Sequence, residues 1–174
     1  MKMAYLEFEL LDQYDNPRHV KMNDEDCNDL YVWRETKSKP SYWRKLKIST
    51  DSNGYKYIII NEKHYLLHRV NYYIHNPEWD IYDNSKNNLI DHIDRNRSNN
   101  HISNLRVANH SENHQNRDAK GYSYNKTTNK YHAQIKTNGI QKYLGCYDTP
   151  KEAREVYLKY KKEHHSYYVD KNNN

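Results

Sequence analysis

Tyrosine limits the core this chain can build. It contains 19 tyrosines, against three tryptophans and one phenylalanine. A tyrosine ring buries area, but its hydroxyl needs water or a polar partner. With tyrosine set aside, apolar residues make up about a quarter of the 174. Small cores with many half-exposed rings are therefore expected, and the length admits one ordinary domain or two small ones. No run approaches the roughly 18 apolar residues of a membrane span. The opening stretch MKMAYLEFELLDQYD lacks the apolar centre of a secretion signal. Cys27 and Cys146 are isolated, so neither a disulfide framework nor a cysteine zinc site is expected. The expectation is a soluble, intracellular protein, neither secreted nor membrane-bound.

Charge is unevenly spread. Residues 1–30 carry three Lys/Arg against eight Asp/Glu, a net −5, while residues 31–118 carry +4 and residues 119–169 carry +6. A basic body behind an acidic start fits a polyanionic partner. Leu6, Phe8 and Leu10 alternate with Glu7 and Glu9 as a half-buried strand would. Met22–Asp29 is acidic and reads as a solvated loop. Trp33, Tyr42 and Trp43, set among lysines and arginines, suit either a nucleic-acid grip or a small core cluster. Asn53-Gly54 is a turn signal, Tyr55–Ile60 a β-rich run, and Asn61-Glu62-Lys63 a turn into His64–Leu67. Leu67, Val70, Tyr73 and Ile74 then show helical spacing until Pro77.

The stretch Leu89–Asn116, LIDHIDRNRSNNHISNLRVANHSENHQN, concentrates chemistry-bearing groups. Asp91-His92 ends one short apolar run, and Asn104-Leu105-Arg106-Val107 opens a second. Asn109 with Glu112 three residues on is a capping-box signature, placing Asn113 in the first turn of a helix. A hairpin and helix would gather one acid, one imidazole and two carboxamides. Phosphodiester cleavage needs a base to activate water, which a histidine near neutral pKa can be. It also needs a hard cation against the phosphate charge. Carboxylate and carboxamide oxygens are ligands Mg²⁺ accepts, with water and phosphate filling the rest.

The pattern DHIDxNxxNNxxxNLRxxxxxxN resembles the ββα-metal motif of HNH homing endonucleases in its H-N-N variant. Its spacing is His92, twelve residues to Asn104, then nine to Asn113. The resemblance covers roughly residues 53–118. It implies that Asp91 and Asn113 bind the metal, that His92 is the general base, and that Asn104 orients His92. His68-Arg69 matches a pair that often precedes this motif. The final position is Asn where His is commoner, so the metal would meet a neutral oxygen. The metal implied is Mg²⁺, with Mn²⁺ as a substitute, and no structural zinc or small-molecule cofactor is expected. His101, His110 and His114 are expected to be solvated or phosphate-facing, and His64 and His75 structural.

In residues 121–168, Tyr131, Ala133 and Ile135 alternate with His132, Gln134 and Lys136, as in a one-faced strand. Asn138-Gly139 is a strong hairpin signal that places Lys136 opposite Gln141, Gln134 opposite Tyr143 and Ala133 opposite Leu144. Thr149-Pro150-Lys151-Glu152 opens a helix whose Ala153, Val156, Tyr157 and Tyr160 can cover the apolar sheet face. The AxI strand, the NG turn and YLGxYDTxxEA are similar to the APETALA2-type DNA-binding domain. That resemblance implies DNA contact through Lys126, Lys130, His132, Gln134, Lys136, Gln141 and Tyr143. Arg106 is a further candidate for phosphate contact.

The expected fold is α+β, a ββα-metal nuclease region followed by a small three-stranded antiparallel sheet packed on one helix. The expected organisation is 1–52 of uncertain role, 53–118 nuclease, 119–168 DNA-binding, and a disordered tail 169–174. By resemblance the chain is a metal-dependent endonuclease of the homing type, encoded by a phage, virus or mobile element. It would act on double-stranded DNA at long, loosely specified sites, as a monomer or a dimer. The competing readings are a non-catalytic DNA-binding regulator on a decayed scaffold, and binding of structured RNA.

Overall fold

Four antiparallel strands within the first 45 residues form a simple meander. The computed structural model describes residues 4–137 and 139–170. Its first strands are β1 (Tyr5–Leu11), β2 (Pro17–Asn23), β3 (Leu30–Arg34) and β4 (Tyr42–Lys45), hydrogen-bonded in that order. Period-two alternation drives them, since Leu10, Val20, Met22, Leu30 and Val32 all point inward and are buried. The loop expected at Met22–Asp29 begins later. Strand β2 continues through Asn23, and Met22 is wholly buried. Trp33 and Trp43 pair across β3 and β4 with ring centroids 5.3 Å apart.

Strands β5 (Ser49–Thr50), β6 (Lys56–Ile60) and β7 (Lys63–Leu66) form a second antiparallel sheet, followed at once by helix α1 (Leu67–His75). Ile58, Ile60, Leu67 and Val70 join Leu10, Val20 and Met22 in one continuous hydrophobic cluster. Each fully buried aliphatic side chain contributes roughly 1.5–3 kcal/mol as an upper value. The meander thus shares the core that seats α1.

Much of the early negative charge has a structural use. Asp12 is fully buried, and its carboxylate accepts from Arg18, from the backbone N–H of Tyr14 and Asn16, and from the Asn61 amide. Asp29 accepts the Tyr5 hydroxyl at 2.8 Å and pairs with Lys45 at 2.7 Å.

Strands β8 (Leu89–His92) and β9 (Leu105–Ala108) pair as a two-stranded sheet, with a 3₁₀ turn over Ile102–Asn104 between them. Helix α2 (His110–Gln115) follows, opened by the expected capping box of Asn109 and Glu112. The chain divides into two compact units. The first is 1–85, 90–92 and 96–107; the second is 86–89, 93–95 and 108–174.

In the second unit, β10 (Tyr122–Asn125), β11 (Lys130–Thr137) and β12 (Ile140–Tyr147) form an antiparallel sheet against which α3 (Pro150–His164) packs. Thr149 and Glu152 cap α3 reciprocally, with Pro150 at its start. Lys136 lies opposite Gln141 and Gln134 opposite Tyr143, but a bulge moves Ala133 opposite Gly145 rather than Leu144. The extra residue in β12 follows from the bulge, which sets two residues against one. Asn138 lies outside the described residues, although Thr137 pairs with Ile140 across the two-residue loop. Lys171–Asn174 also lies outside them, whereas Val169 accepts from Arg95 and Asp170 lies 3.5 Å from Lys162.

The architecture is therefore mixed α+β, with several small antiparallel sheets and few helices. No described helix is long and apolar enough to cross a membrane.

Candidate active site

Asp91 and His92 close strand β8, both buried at 6% and 5% exposure. The imidazole Nε2 of His92 lies 2.9 Å from Asn100 Oδ1. With that oxygen accepting, Nε2 carries the proton and Nδ1 carries the basic lone pair. Asn100 is itself held. Asn71 of α1 donates to its backbone carbonyl, and Asn104 donates from Nδ2 to the carbonyl of Asn99 at 2.8 Å. Two carboxamides thus pin the backbone of the 99–100 loop, and that loop presents a third carboxamide to the imidazole. Asn104 braces the segment that meets His92.

Asn71 and Asn100 were not singled out in the sequence. Asn71 was detectable as an amide on the apolar face of α1, four residues after Leu67. Asn100 is the second residue of the NN pair within the motif.

Aromatic packing encloses the other sides of His92. His68 meets it edge to face at 4.9 Å, and Tyr55 lies 5.3 Å from His68 and 6.1 Å from His92. Arg97 caps Tyr55 at 4.8 Å and donates to the Asn53 carbonyl at 2.7 Å. Burial, with the nearby His92 and Arg69, brings the His68 pKa down to about 3, so this imidazole is neutral at physiological pH. Two rings this close could not both be charged without repulsion.

Arg106, expected at a phosphate, is held on Asp91. Its Nε and Nη2 donate to Asp91 Oδ2 at 3.0 and 2.8 Å. The guanidinium fixes the carboxylate beside His92 and balances its buried charge.

Asn113 sits in the first turn of α2, in the second unit. Within that unit α2 is anchored by His110 N–H to the Lys86 carbonyl at 2.8 Å and by Asn116 Nδ2 to the Ile93 carbonyl at 3.1 Å. Those two carbonyls bracket β8 in the sequence.

Among the described residues no three His, Cys, Asp or Glu side chains form a metal cage. Mg²⁺ does not need one, since it keeps several waters and takes one or two protein oxygens. The buried Asp91 carboxylate, fixed by the Arg106 guanidinium, is one oxygen donor of that hard kind.

The C-terminal candidates occupy the sheet of the second unit. Gln134, Lys136, Gln141 and Tyr143 are exposed, and the His132 ring lies edge-on to Tyr143 at 5.8 Å. Lys126 is exposed in the β10–β11 turn, while Lys130 pairs with Asp148 at 3.1 Å. Of the other histidines, His64 stacks on Tyr57 and His75 bonds the Asn71 carbonyl, whereas His101 caps the 3₁₀ turn.

Residues 65–115 match a family model described as HNH endonuclease. The match includes Asp91, His92, Asn104 and Asn113, and also His68, Asn71 and Asn100. No curated protein and no solved structure matches the chain. The family match supports a nuclease, with nucleic acid as substrate.

Proposed function

We propose that this chain is a divalent-metal-dependent DNA endonuclease. The observation carrying the proposal is the buried His92, fixed through Nε2 by Asn100 and set directly after a buried carboxylate, Asp91. His92 takes a proton from water at Nδ1, and the resulting hydroxide attacks the phosphorus. Asn100 stabilises the imidazolium that forms, and Asn104 holds the loop carrying Asn100. Asp91, held by Arg106, and Asn113 would hold Mg²⁺ or Mn²⁺ through their side-chain oxygens, and the bound ion would supply charge neutralisation at the phosphate and the departing 3′ oxygen.

The second unit docks the enzyme on duplex DNA through its APETALA2-like sheet. Lys126, Lys130, His132 and Tyr143 provide the duplex contacts, and Gln134, Lys136 and Gln141 contact DNA outside the paired duplex. A two- or three-stranded ribbon of this size suits a major groove about 12 Å wide. A nuclease site paired with a small reader fits a homing-type enzyme with a long, loosely specified target.

Supercoiled plasmid incubated with protein and Mg²⁺ tests the reading. Cleavage is expected to fall by about 10²–10⁴-fold in His92→Ala and to stop in EDTA. Cleavage that survives either change overturns it.

A further inference from the structure

Strand β10 pairs with β11 only as far as Ala133, and a last bond runs from Gln134 N–H to the Gly121 carbonyl at 3.0 Å. Beyond that point no strand among the described residues lies beside the β10-side edge of β11. Between this edge and helix α2 lies an open groove of about 680 Å³, entirely within the second unit. Sites of roughly 300–1,000 Å³ enclose one small organic ligand; a duplex is far too large to enter.

None of the residues lining the groove is acidic. Lys136 supplies its one ammonium, Gln134 and Gln141 supply carboxamides, and α2 contributes His110 and His114, whose rings lie 4.5 Å apart. Tyr122, half-buried, presents an aromatic face. The side chains of Lys136, Gln134 and Gln141 make no hydrogen bond to any described residue.

We infer that the groove binds one unpaired nucleotide of a DNA strand, its phosphate on Lys136 and its base against Tyr122 and the Gln134 and Gln141 amides. Carboxamides read the hydrogen-bonding edges of bases, and an aromatic ring stacks on any base. A run of phosphates alone would call for several cations, and the groove offers one. Helix α2 carries both His110 and His114 of this groove and Asn113 of the proposed metal site. The nucleotide would therefore lie within about one helical turn, roughly 5 Å along the axis, of the residue placed at the chemistry. The inference rests on the nuclease reading and specifies that one nucleotide near the cut leaves the duplex.

The test uses the full chain in EDTA, with single-stranded DNA pentamers and a fully paired DNA hairpin as probes. Side-chain amide resonances of Gln134 and Gln141 and ring resonances of His110 and His114 are expected to shift with pentamers and not with the hairpin. Replacing both glutamines, Gln134→Ala with Gln141→Ala, should weaken pentamer binding about tenfold, with the remaining backbone spectrum unchanged. Equal shifts with both probes, shifts confined to residues outside the groove, or undiminished affinity in the double variant would overturn the inference. Plasmid cleavage is scored separately. A chain that cuts plasmid without these shifts loses only the groove, and one that shows them without cutting loses the nuclease reading.

Discussion

The imidazole of His68 meets that of His92 edge to face, with ring centroids 4.9 Å apart. His68 is 5% exposed, and its Nδ1 is buried with no hydrogen-bond partner among the described residues. Its contribution to His92 is thus the shape and neutrality of its ring. In His68→Ala the base loses one wall, and kcat is expected to fall about 10–100-fold, the scale of a small misplacement of a reacting group. His68→Phe restores the wall and should recover most of the rate, a rescue that loss of stability alone would not produce. His68 also resists protonation in the fold, with a pKa near 3 against an ordinary 6.5. The unfolded chain therefore binds this proton first as pH falls below about 6.5, and the native state loses stability down to about pH 3. Near pH 5 that loss is about 2 kcal/mol. His68→Phe should show a correspondingly shallower decline of its urea midpoint between pH 7 and pH 5, and an unchanged slope would refute the assignment.

Asn100 and Asn104 act on His92 in series. Asn104 holds the carbonyl of Asn99, and Asn100 meets the imidazole. Removing either should release the same ring, so the two losses should not add. Asn100→Ala and Asn104→Ala are each expected to lower kcat about 10-fold or more, with the double variant close to the worse single. Single-turnover cleavage with saturating DNA reads this directly, and additive losses would show that the two act independently.

The capping boxes, the Lys136–Gln141 and Gln134–Tyr143 pairings and the DH…N…N spacing were legible because each is local, fixed by residues two to twelve apart. The brace around His92 was not, because Asn71 and Asn100 are 29 residues apart and meet only through the fold. The pairing of Arg106 with Asp91 was hidden too, because an arginine on a strand gives no sign of a carboxylate across the hairpin, 15 residues away. The bulge that sets Ala133 opposite Gly145 was equally hidden, since strict two-residue alternation predicts Leu144 there. The acidic start stayed opaque for the same reason. Asp12 bonds Asn61, 49 residues on, and charge composition carries no record of that.

Gly121 fixes how closely β10 approaches α3. Its φ is +77°, and a Cβ built there would lie 2.0 Å from the Tyr157 ring. Gly121→Ala therefore combines a left-handed backbone penalty with overpacking, together about 2–4 kcal/mol. Tyr157 is buried against the sheet and cannot swing out without opening the core of the second unit. Equilibrium urea unfolding should show the loss, and Gly121→Ala with Tyr157→Leu should recover part of it.

Asp12 ties the β1–β2 hairpin to the turn before β7. Burial alone would raise its pKa. The Arg18 guanidinium, the N–H groups of Asn16 and Tyr14 and the Asn61 amide outweigh burial and hold the carboxyl well below the usual carboxylate range. A depressed native pKa stabilises the fold above the unfolded value of about 3.9, and that stability is lost as pH falls further. Asp12→Asn keeps the shape but removes the charge that these donors face, so it should be destabilised at pH 7. The gap from the parent should narrow steadily from about pH 4 downward, as the parent carboxylate comes under the same protonation pressure. Urea midpoints at pH 7, 4 and 2.5 measure it. A gap that stays constant across the three would mean that Asp12 acts through packing and not through its charge.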